Sequence, residues 1–523
     1  MGSPDIQVVW FKRDLRTRDH QSLAAAAERG PVLAVYIVEP ELWRLPDMAA
    51  QHWEFIRESL LELRGALVEL GGPLIVRTGE AVQVLDALRI ELDDRVQTLW
   101  AHEETGNGWT YARDRDVLRW ARTHRVRVNE MPRDGIVRRL RDRDEWGKLA
   151  SAQFAGALLE PPPLPAVEPL IEAGHIPSLA HLQLAATASS GSHLMGQQAA
   201  RSALDSFLQT RCIGYEKRLS SPLTAWEGCS RLSAHLTYGT ISLREVMART
   251  QRTASQEQPK RFSLKAFNER LHWRSHFIQK LEDQPSLEQQ SYITEFDEIR
   301  LDPATNNVAA ERFHAWSAGR TGYPMVDACM RSLNETGWIN FRMRALLVSF
   351  ASYDLWLDWR WTARHLAQAF IDYEASPVTG SVALHAGLAA TWMMVGVIWF
   401  VQVVHYPLLA MVGVDRASEI AVEHQRRTGQ VVGVPMAIEG VSTLVLLATR
   451  PAGVFWLWPW VAAVLLAVAL GCTVLLSVPL HAQMASQPTP EVGHRLVRTN
   501  GPRTCAWTLR GLVLVVMAAQ AWA

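Results

Sequence analysis

From its first residues the chain alternates short apolar runs with longer stretches in which apolar positions recur every three or four residues. The runs are "IQVVWF" (6–11), "VLAVYIV" (32–38), "PLIVRTG" (73–79), "VQTLWAHEE" (96–104) and "VRVNEM" (126–131). Between them lie helical patterns such as 49–70, where Trp53, Ile56, Leu60, Leu63, Leu67 and Leu70 share one face. Strand-like runs separated by amphipathic helices predict βαβ units and a parallel sheet covered on both sides. Residues 1–135 are therefore read as an α/β domain of doubly wound, Rossmann or flavodoxin-like type.

The pattern then changes twice. Residues 136–200, with "LLEPPPLPAVEPL" at their centre, are rich in Pro, Ser, Gly and Ala and read as a connector. From 201 to 378 the period is helical throughout, as in "SLKAFNERLHWRSHFIQKLED" and "WTARHLAQAFIDYE", which predicts an all-α domain. Beyond 381 come four apolar segments, about 382–410, 431–449, 454–480 and 506–523, each near the ~20 residues a helix needs to cross a bilayer. Trp392, Trp399, Tyr406, Trp456, Trp458, Trp460 and Trp507 stand near their ends or faces. Residues 381–523 are expected to be a four-helix transmembrane bundle with the lipid bilayer as partner.

Composition adds limits. Fifty-three basic and 53 acidic residues cancel, so bulk charge signals no nucleic acid, and a DNA partner would need a local basic groove. Cys212, Cys229, Cys329, Cys472 and Cys505 are odd in number, scattered and without a CxxC, which argues against a disulfide framework or a zinc site. The opening "MGSPDIQVVWFKRDLR" has no apolar core of a secretory signal, so the first half is expected in the cytoplasm. The apolar third carries eight Arg and no Lys. Arg416, Arg426 and Arg427 lie between its first and second segments, Arg495, Arg498 and Arg503 between its third and fourth, and Arg450 on the other side. By the positive-inside tendency that pattern places residue 380 outside, opposite to the expectation for the first half. His405, Glu439 and His481 are ionisable groups at or near membrane depth and so functional candidates. Interface capping or an interhelical hydrogen bond is their simpler reading.

Three stretches carry chemistry: "GRTGYPMVDACMRSLNETGWINFRMRALLVSFASYDLWLDWR" (319–360), "CSRLSAHLTYGTISLREV" (229–246) and "VVWFKRDLRTRDHQSL" (8–23). Together they resemble the photolyase/cryptochrome family, over residues 6–374 and in the family's order of antenna domain followed by flavin domain. The resemblance implies FAD as cofactor, a light-driven electron transfer from reduced flavin to pyrimidine dimers flipped out of damaged DNA, and an antenna chromophore that is a folate, a deazaflavin or a flavin.

Residue by residue, the resemblance implies that Tyr215 and the loop Cys229, Ser230, Arg231, Leu232 and Ser233 surround the FAD phosphates and ribityl chain. A helix start attracts anions, although "SRLS" alone would read as a Ser cap. Trp273 and Arg274 would face flavin and lesion, with Glu269 and Arg270 beside them, Arg270 replacing a carboxylate that many repairing members carry. Trp338 and Arg342 would meet DNA, and Phe341 replaces a common Asn. Arg344 would pair with Asp372 beside the flavin ring, and Tyr373 and Glu374 would continue the cradle. Trp359 would be the middle member of an electron-relay chain whose outer position holds Asn306. Phe11, Lys12, Arg13 and "EETGN" (103–107) lie at strand ends near the antenna site. After Glu374 the family's closing segment is replaced by "ASPVTGSVALHAGL", so the flavin pocket is expected to be incomplete, with weak cofactor retention and poor repair.

Overall fold

The computed structural model describes residues 5–374 apart from 169, 186–193, 292–296 and 298, then 394–402, scattered positions from 432 to 447, and 455–522 apart from 488. The chain divides into two compact units, residues 1–379 and 380–523. The junction at 375–381, Trp392, His405, Tyr406 and the arginines at 416, 426, 427 and 450 lie outside the described residues.

The five apolar runs are the five strands of one parallel sheet. β1 (Ile6–Phe11), β2 (Val32–Val38), β3 (Leu74–Thr78), β4 (Val96–His102) and β5 (Arg127–Met131) stand in the order 3-2-1-4-5. β1 and β2 are buried at every position, and the strand period deals their side chains to two cores. Val9, Phe11, Ala34, Tyr36 and Val76 face one side, with Leu23 and Ala26 of α1 (Gln21–Ala27) and Trp53, Leu60 and Leu63 of α2 (Ala50–Glu69). Val8, Trp10, Leu33, Val35 and Ile75 face the other, with Leu85 and Leu88 of α3 (Ala81–Glu91) and Val117 and Trp120 of α4 (Gly108–Thr123). A sheet covered on both faces needs no polar face, which explains why the runs are continuous instead of alternating.

The stretch that reads as a connector is bound along most of its described length. Leu164, Val167, Ile171, Ile176 and Leu182 are buried in the α/β cores. The Leu164 N–H donates to the Leu70 carbonyl, the Val76 N–H donates to Ala173, and the Trp53 indole donates to Pro177. Its prolines keep it extended, and its spaced apolar residues supply the contact that composition alone conceals.

The helical part of the first unit runs through α5 (Gly196–Ser206), α6 (Pro222–Gly228), α7 (Ser233–Thr237), α8 (Leu243–Gln256), α9 (Arg261–Asp283), α10 (Asn307–Ser317), α11 (Pro324–Thr336), α12 (Phe341–Ser349) and α13 (Trp359–Ala369). Gly239 lets it meet the sheet. At φ 68° it stands so close to the end of β1 that a Cβ would reach the Arg13 carbonyl and the Asp14 Cα. Asn306, at the position of the outer relay indole, is the N-cap of α10 and accepts from the Ala309 N–H.

The second unit departs from four separate spans. Among the described residues one helical run, Trp458–Ser486, is long and apolar enough to cross a membrane by length and composition, with a mean hydropathy of 2.7 over its best window. It comprises α14 (Trp458–Cys472), a π turn and α15 (Val478–Ser486). The expected fourth span is the end of a longer helix, α16 (Pro490–Trp522), because the helical period continues back through Arg503, Arg498 and Arg495. Of the first span residues 394–402 are described, and most of the second lies outside the description.

Trp53 is fully buried, packs edge-on against Trp43 and holds the connector through its indole. Replacing it with Ala should destabilise the first unit by about 3–5 kcal/mol, read as a shifted urea midpoint of the full chain.

Candidate functional site

Two clusters of functional side chains form in the first unit. The larger lies in the helical part, where α7, α9, α12 and the segment after α13 converge. Arg344 of α12 grips Asp372 with both guanidinium nitrogens, NH1 to Oδ1 at 3.0 Å and NH2 to Oδ2 at 2.6 Å. Its Nε donates to the Ile339 carbonyl, and its guanidinium lies 4.1 Å above the Phe370 ring. Burial would raise the Asp372 carboxyl, but Arg344 and a hydrogen bond from Ser233 hold it below the usual carboxylate range. On the same side Arg274 of α9 donates to Glu374 at 2.6 Å, to Asp134 at 3.1 Å and to the Leu236 carbonyl. Burial raises the Glu374 carboxyl against the pull of Arg274.

The 229–233 loop borders this cluster. Arg231 adopts a left-handed backbone conformation, φ 63°, and lays its guanidinium 3.4 Å over the Trp226 ring and 5.1 Å from that of Trp338. The Ser230 hydroxyl accepts from the Leu232 N–H, and Leu232 is buried. Burial pushes the Cys229 thiol up to about 11, and its carbonyl accepts from Arg211. α7, which begins at Ser233, is a single turn, so the loop offers side chains more than a helix end. Tyr215 is packed edge-on against Phe207 and Phe267.

The structure thus brings together Arg274, Arg344, Asp372, Glu374 and Ser233, with Arg231 and Trp338 in an aromatic stack nearby. It does not bring Tyr373 to them. That ring faces the α/β domain, where its hydroxyl donates to Asp47 at 2.9 Å and it stacks on His52, because the turn after α13 sends it away from its two neighbours. Glu269, Arg270 and Arg342 are exposed, while Trp273 is half-buried beside Arg270 and Phe277. The buried Trp359 donates its indole N–H to Ser291 at 3.0 Å. Sequence reasoning does not point to Trp226, Asp134 or His52. Trp226 lies three residues before Cys229, and Asp134 follows the last apolar run directly, so proximity to the motifs is the signal that could have found them.

The second cluster sits at the carboxyl ends of β1, β2 and β4, where open parallel sheets bind ligands. A small cavity of about 40 Å³ is lined among others by Phe11, Lys12, Arg13, Tyr36, Glu39, Trp43, Glu104, Arg113 and Tyr373. Arg113 pairs with Glu39 at 2.9 Å, Glu104 at 2.5 Å and Asp114 at 2.8 Å, and Arg13 reaches Glu104 at 3.4 Å. Burial raises Glu39 and Glu103 to about 7 each. Behind it, Asp14 Oδ2 faces His102 Nδ1 at 2.7 Å and His20 Nε2 at 3.1 Å. His20 Nδ1 accepts from the Leu23 N–H, which puts the ring proton on Nε2 toward the carboxylate and leaves no lone pair there for a metal.

A flavin dinucleotide asks for cations against its diphosphate and for donors and acceptors along its ring edge. Arg231, Arg274 and Arg344, with Ser230, Ser233 and the paired carboxylates, are such a set, so the residues present fit the group.

Comparison with known proteins agrees with that chemistry. A family model described as DNA photolyase matches residues 7–140, and one described as the FAD binding domain of DNA photolyase matches 267–403, past Glu374 where the quoted motifs stop. The deoxyribodipyrimidine photo-lyase of Halobacterium salinarum is 32% identical over 387 residues, covering 68% of this chain and 76% of that protein. A bacterial class III photolyase from Agrobacterium tumefaciens superposes with a TM-score of 0.62 at 26% identity, covering 72% of this chain and 78% of that one. An archaeal photolyase from Sulfolobus tokodaii, solved with two FAD molecules, gives 0.58 at 25% identity, covering 72% and 83%.

Burial lowers His52 from 6.5 to about 4 and His102 to about 3. Both bind protons less well folded than unfolded, so stability should fall as pH drops from 6.5 and level off below about 4 and 3. For His52 the loss is on the order of 3 kcal/mol. Urea midpoints of the full chain against pH should show a shallower acid slope in His52→Gln.

Proposed function

The chain belongs to the photolyase/cryptochrome family, and on that premise we propose that it is a flavoprotein of light-driven DNA repair acting on pyrimidine dimers. The arrangement that carries this reading is the two-point grip of Arg344 on Asp372, with Ser233 on the same carboxylate and Arg274 on the adjacent Glu374. Bound there in reduced form, FAD supplies on illumination the electron that opens the dimer's cyclobutane ring. The protein's share is to hold and to exclude. Arg344, planar by its own delocalisation, is held in orientation by Asp372, so its outward edge could serve a ring oxygen. Arg231, stacked on Trp226 and backed by the buried Trp338, is a preformed cation for phosphate, and the half-buried Trp273 offers aromatic surface for a base taken out of the duplex. Trp359, buried and hydrogen-bonded to Ser291, suits an electron relay whose outer position Asn306 cannot fill. The carboxyl ends of the strands would take the antenna pigment.

The FAD-domain model runs on through "ASPVTGSVALHAGL" to residue 403, but the chain covers 76% of the Halobacterium salinarum relative, and a cradle short of the family's closing part would retain its cofactor weakly. The expected outcome is a purified full-length protein with little flavin that takes up added FAD at micromolar concentration. Asp372→Asn should weaken that uptake tenfold or more by releasing Arg344. Absence of any uptake, together with no light-dependent loss of dimers from irradiated DNA, would overturn the reading. An inactive photolyase-like domain used in signalling or interaction would then take its place.

For the second unit we propose residence in a bilayer, with the photolyase-like unit in the cytoplasm. The supporting observation is inverted polarity. Leu475, Val474, Val464, Trp456, Trp460, Phe400 and Leu512 are half or more exposed, while Arg510 and Glu439 are fully buried against each other. Arg510 donates through Nε and NH2 to Glu439, through NH2 to Thr443 and through NH1 to the Ala462 carbonyl. Apolar outside and ionic inside suits lipid as solvent. The protein should sediment with membranes and need detergent for release, and recovery in the soluble fraction would refute this. Arg510→Leu should cost about 3–5 kcal/mol by stripping a buried carboxylate of its two-point partner, read as a lowered melting temperature in detergent.

A further inference from the structure

Residues 370–374 leave α13 through a tight turn in which the Tyr373 N–H bonds back to the Phe370 carbonyl at 3.2 Å, and every backbone carbonyl from 370 to 373 also accepts from a side chain. His52 Nε2 donates to Phe370 at 2.9 Å, the Tyr238 hydroxyl to Ile371 at 3.1 Å, Thr237 to Asp372 at 3.3 Å and Arg13 to Tyr373 at 3.5 Å. The donor assignment for His52 is fixed, because its Nδ1 accepts from the Ala49 N–H. Side chains then alternate. Asp372 and Glu374 turn to Arg344 and Arg274, and Tyr373 between them turns to the α/β domain. There Asp47 accepts from its hydroxyl, His52 stacks on its ring at 6.1 Å between centroids, and Tyr373 itself lines the cavity at the strand ends. Asp47 also accepts from Asn107, the N-cap of α4, so the anchor is tied to the loop that carries "EETGN".

We propose that Tyr373, anchored by Asp47 and His52, is a positioning residue. From the α/β side it sets the register of the two carboxylates that hold the cradle arginines Arg344 and Arg274. The physical reason is the short lever. Each neighbour of Tyr373 bears a buried charge pair, and a turn whose carbonyls are pinned one by one cannot rotate Tyr373 without moving both neighbours. A change at the cavity wall that frees the Tyr373 hydroxyl is thereby felt at the cofactor site, although no group of the α/β domain need touch the cofactor. Asp47 and His52 lie far from the flavin domain in sequence, which is why motifs alone do not join them to it.

The inference rests on the flavoprotein reading for its functional meaning, and its test is arranged to fail separately. Tyr373→Phe removes only the hydroxyl, Asp47→Ala removes its acceptor, and Asp47→Glu is the conservative replacement. In the full-length chain without added cofactor, hydrogen exchange of the amides at 370–374 and in Gly337–Trp338 should rise roughly threefold to tenfold in Tyr373→Phe and in Asp47→Ala, the range expected of one hydrogen bond. The double variant should match either single one at 370–374, because both remove the same bond. Asp47→Glu should recover part of the protection. After addition of FAD, the vibronic structure of the flavin band and the flavin midpoint potential should shift in the two variants and return toward the parent in Asp47→Glu, which a merely structural contact would not produce. Unchanged exchange in Tyr373→Phe, or additive effects of the two substitutions, would overturn the proposal. So would increased exchange accompanied by an unaltered flavin spectrum and potential. Should the chain take up no FAD, the exchange and additivity results still decide whether Tyr373 sets the segment, and the flavoprotein reading alone falls.

Discussion

The first unit turns on how the chain is held after α13 ends. The last carbonyls of a helix lose their intrahelical partners, and the turn that follows α13 supplies a single backbone bond of its own, from the Tyr373 N–H to Phe370. Here His52 of α2, Tyr238 and Thr237 at the end of α7, and Arg13 beyond β1 satisfy four carbonyls in a row. Those four donors come from both domains. The segment is therefore the place where sheet and helices are fastened, and it is also the segment that carries Asp372 and Glu374. Cofactor chemistry and domain packing are set by the same few bonds.

That sharing has an energetic logic. Asp372 and Glu374 are carboxylates in a buried setting, a costly arrangement unless each is paired and its backbone fixed. Arg344 and Arg274 provide the pairing, and Asp134 makes the second pair a triad. An arginine held on two sides has its remaining N–H groups aimed in known directions, which is what a cofactor with a fixed hydrogen-bonding edge requires. Gly239 belongs to the same construction. With any side chain there the turn after α7 could not approach Arg13 and Asp14 so closely, and the Arg16 bond to its carbonyl would be lost with the approach.

Much of this is legible in the residues themselves. Each apolar run is a strand because burial on both faces leaves a strand no polar register to hide in, as Val8, Val9, Trp10 and Phe11 illustrate. The motifs pair Arg344 with Asp372, and the two side chains meet. Direction is what a sequence does not carry. Its motifs group Tyr373 with its neighbours, yet the turn after α13 sends it to the opposite side, and composition does not report backbone conformation at a helix exit. The connector misleads for a different reason. Proline-rich text looks free, while Leu164, Val167, Ile171 and Ile176 are spaced to fill grooves that exist only once the sheet has formed. Asn306 looks like a missing indole, and its place at the head of α10 gives it work of its own as a cap.

The second unit changes the weight of the orientation evidence. Positive charges orient a membrane protein when they lie in loops and flanks, where they can be held back from translocation. Hydropathy alone makes one such loop of Arg495, Arg498 and Arg503, but they sit within the continuous helix α16. Arg495 and Arg498 are exposed on that helix, whereas Arg503 is largely buried and contacts Thr473. Three turns of polar residues on the buried face, from Asn500 through Thr504 to Arg510, then bind α16 to its neighbours through Gln402, Thr473 and Glu439. An arginine used as an interior hydrogen-bond donor is spent on packing and says little about which side of a membrane its helix began. The charge-based orientation thus rests on fewer residues than hydropathy suggests, and its conflict with the proposed cytoplasmic placement of the photolyase-like unit is correspondingly smaller.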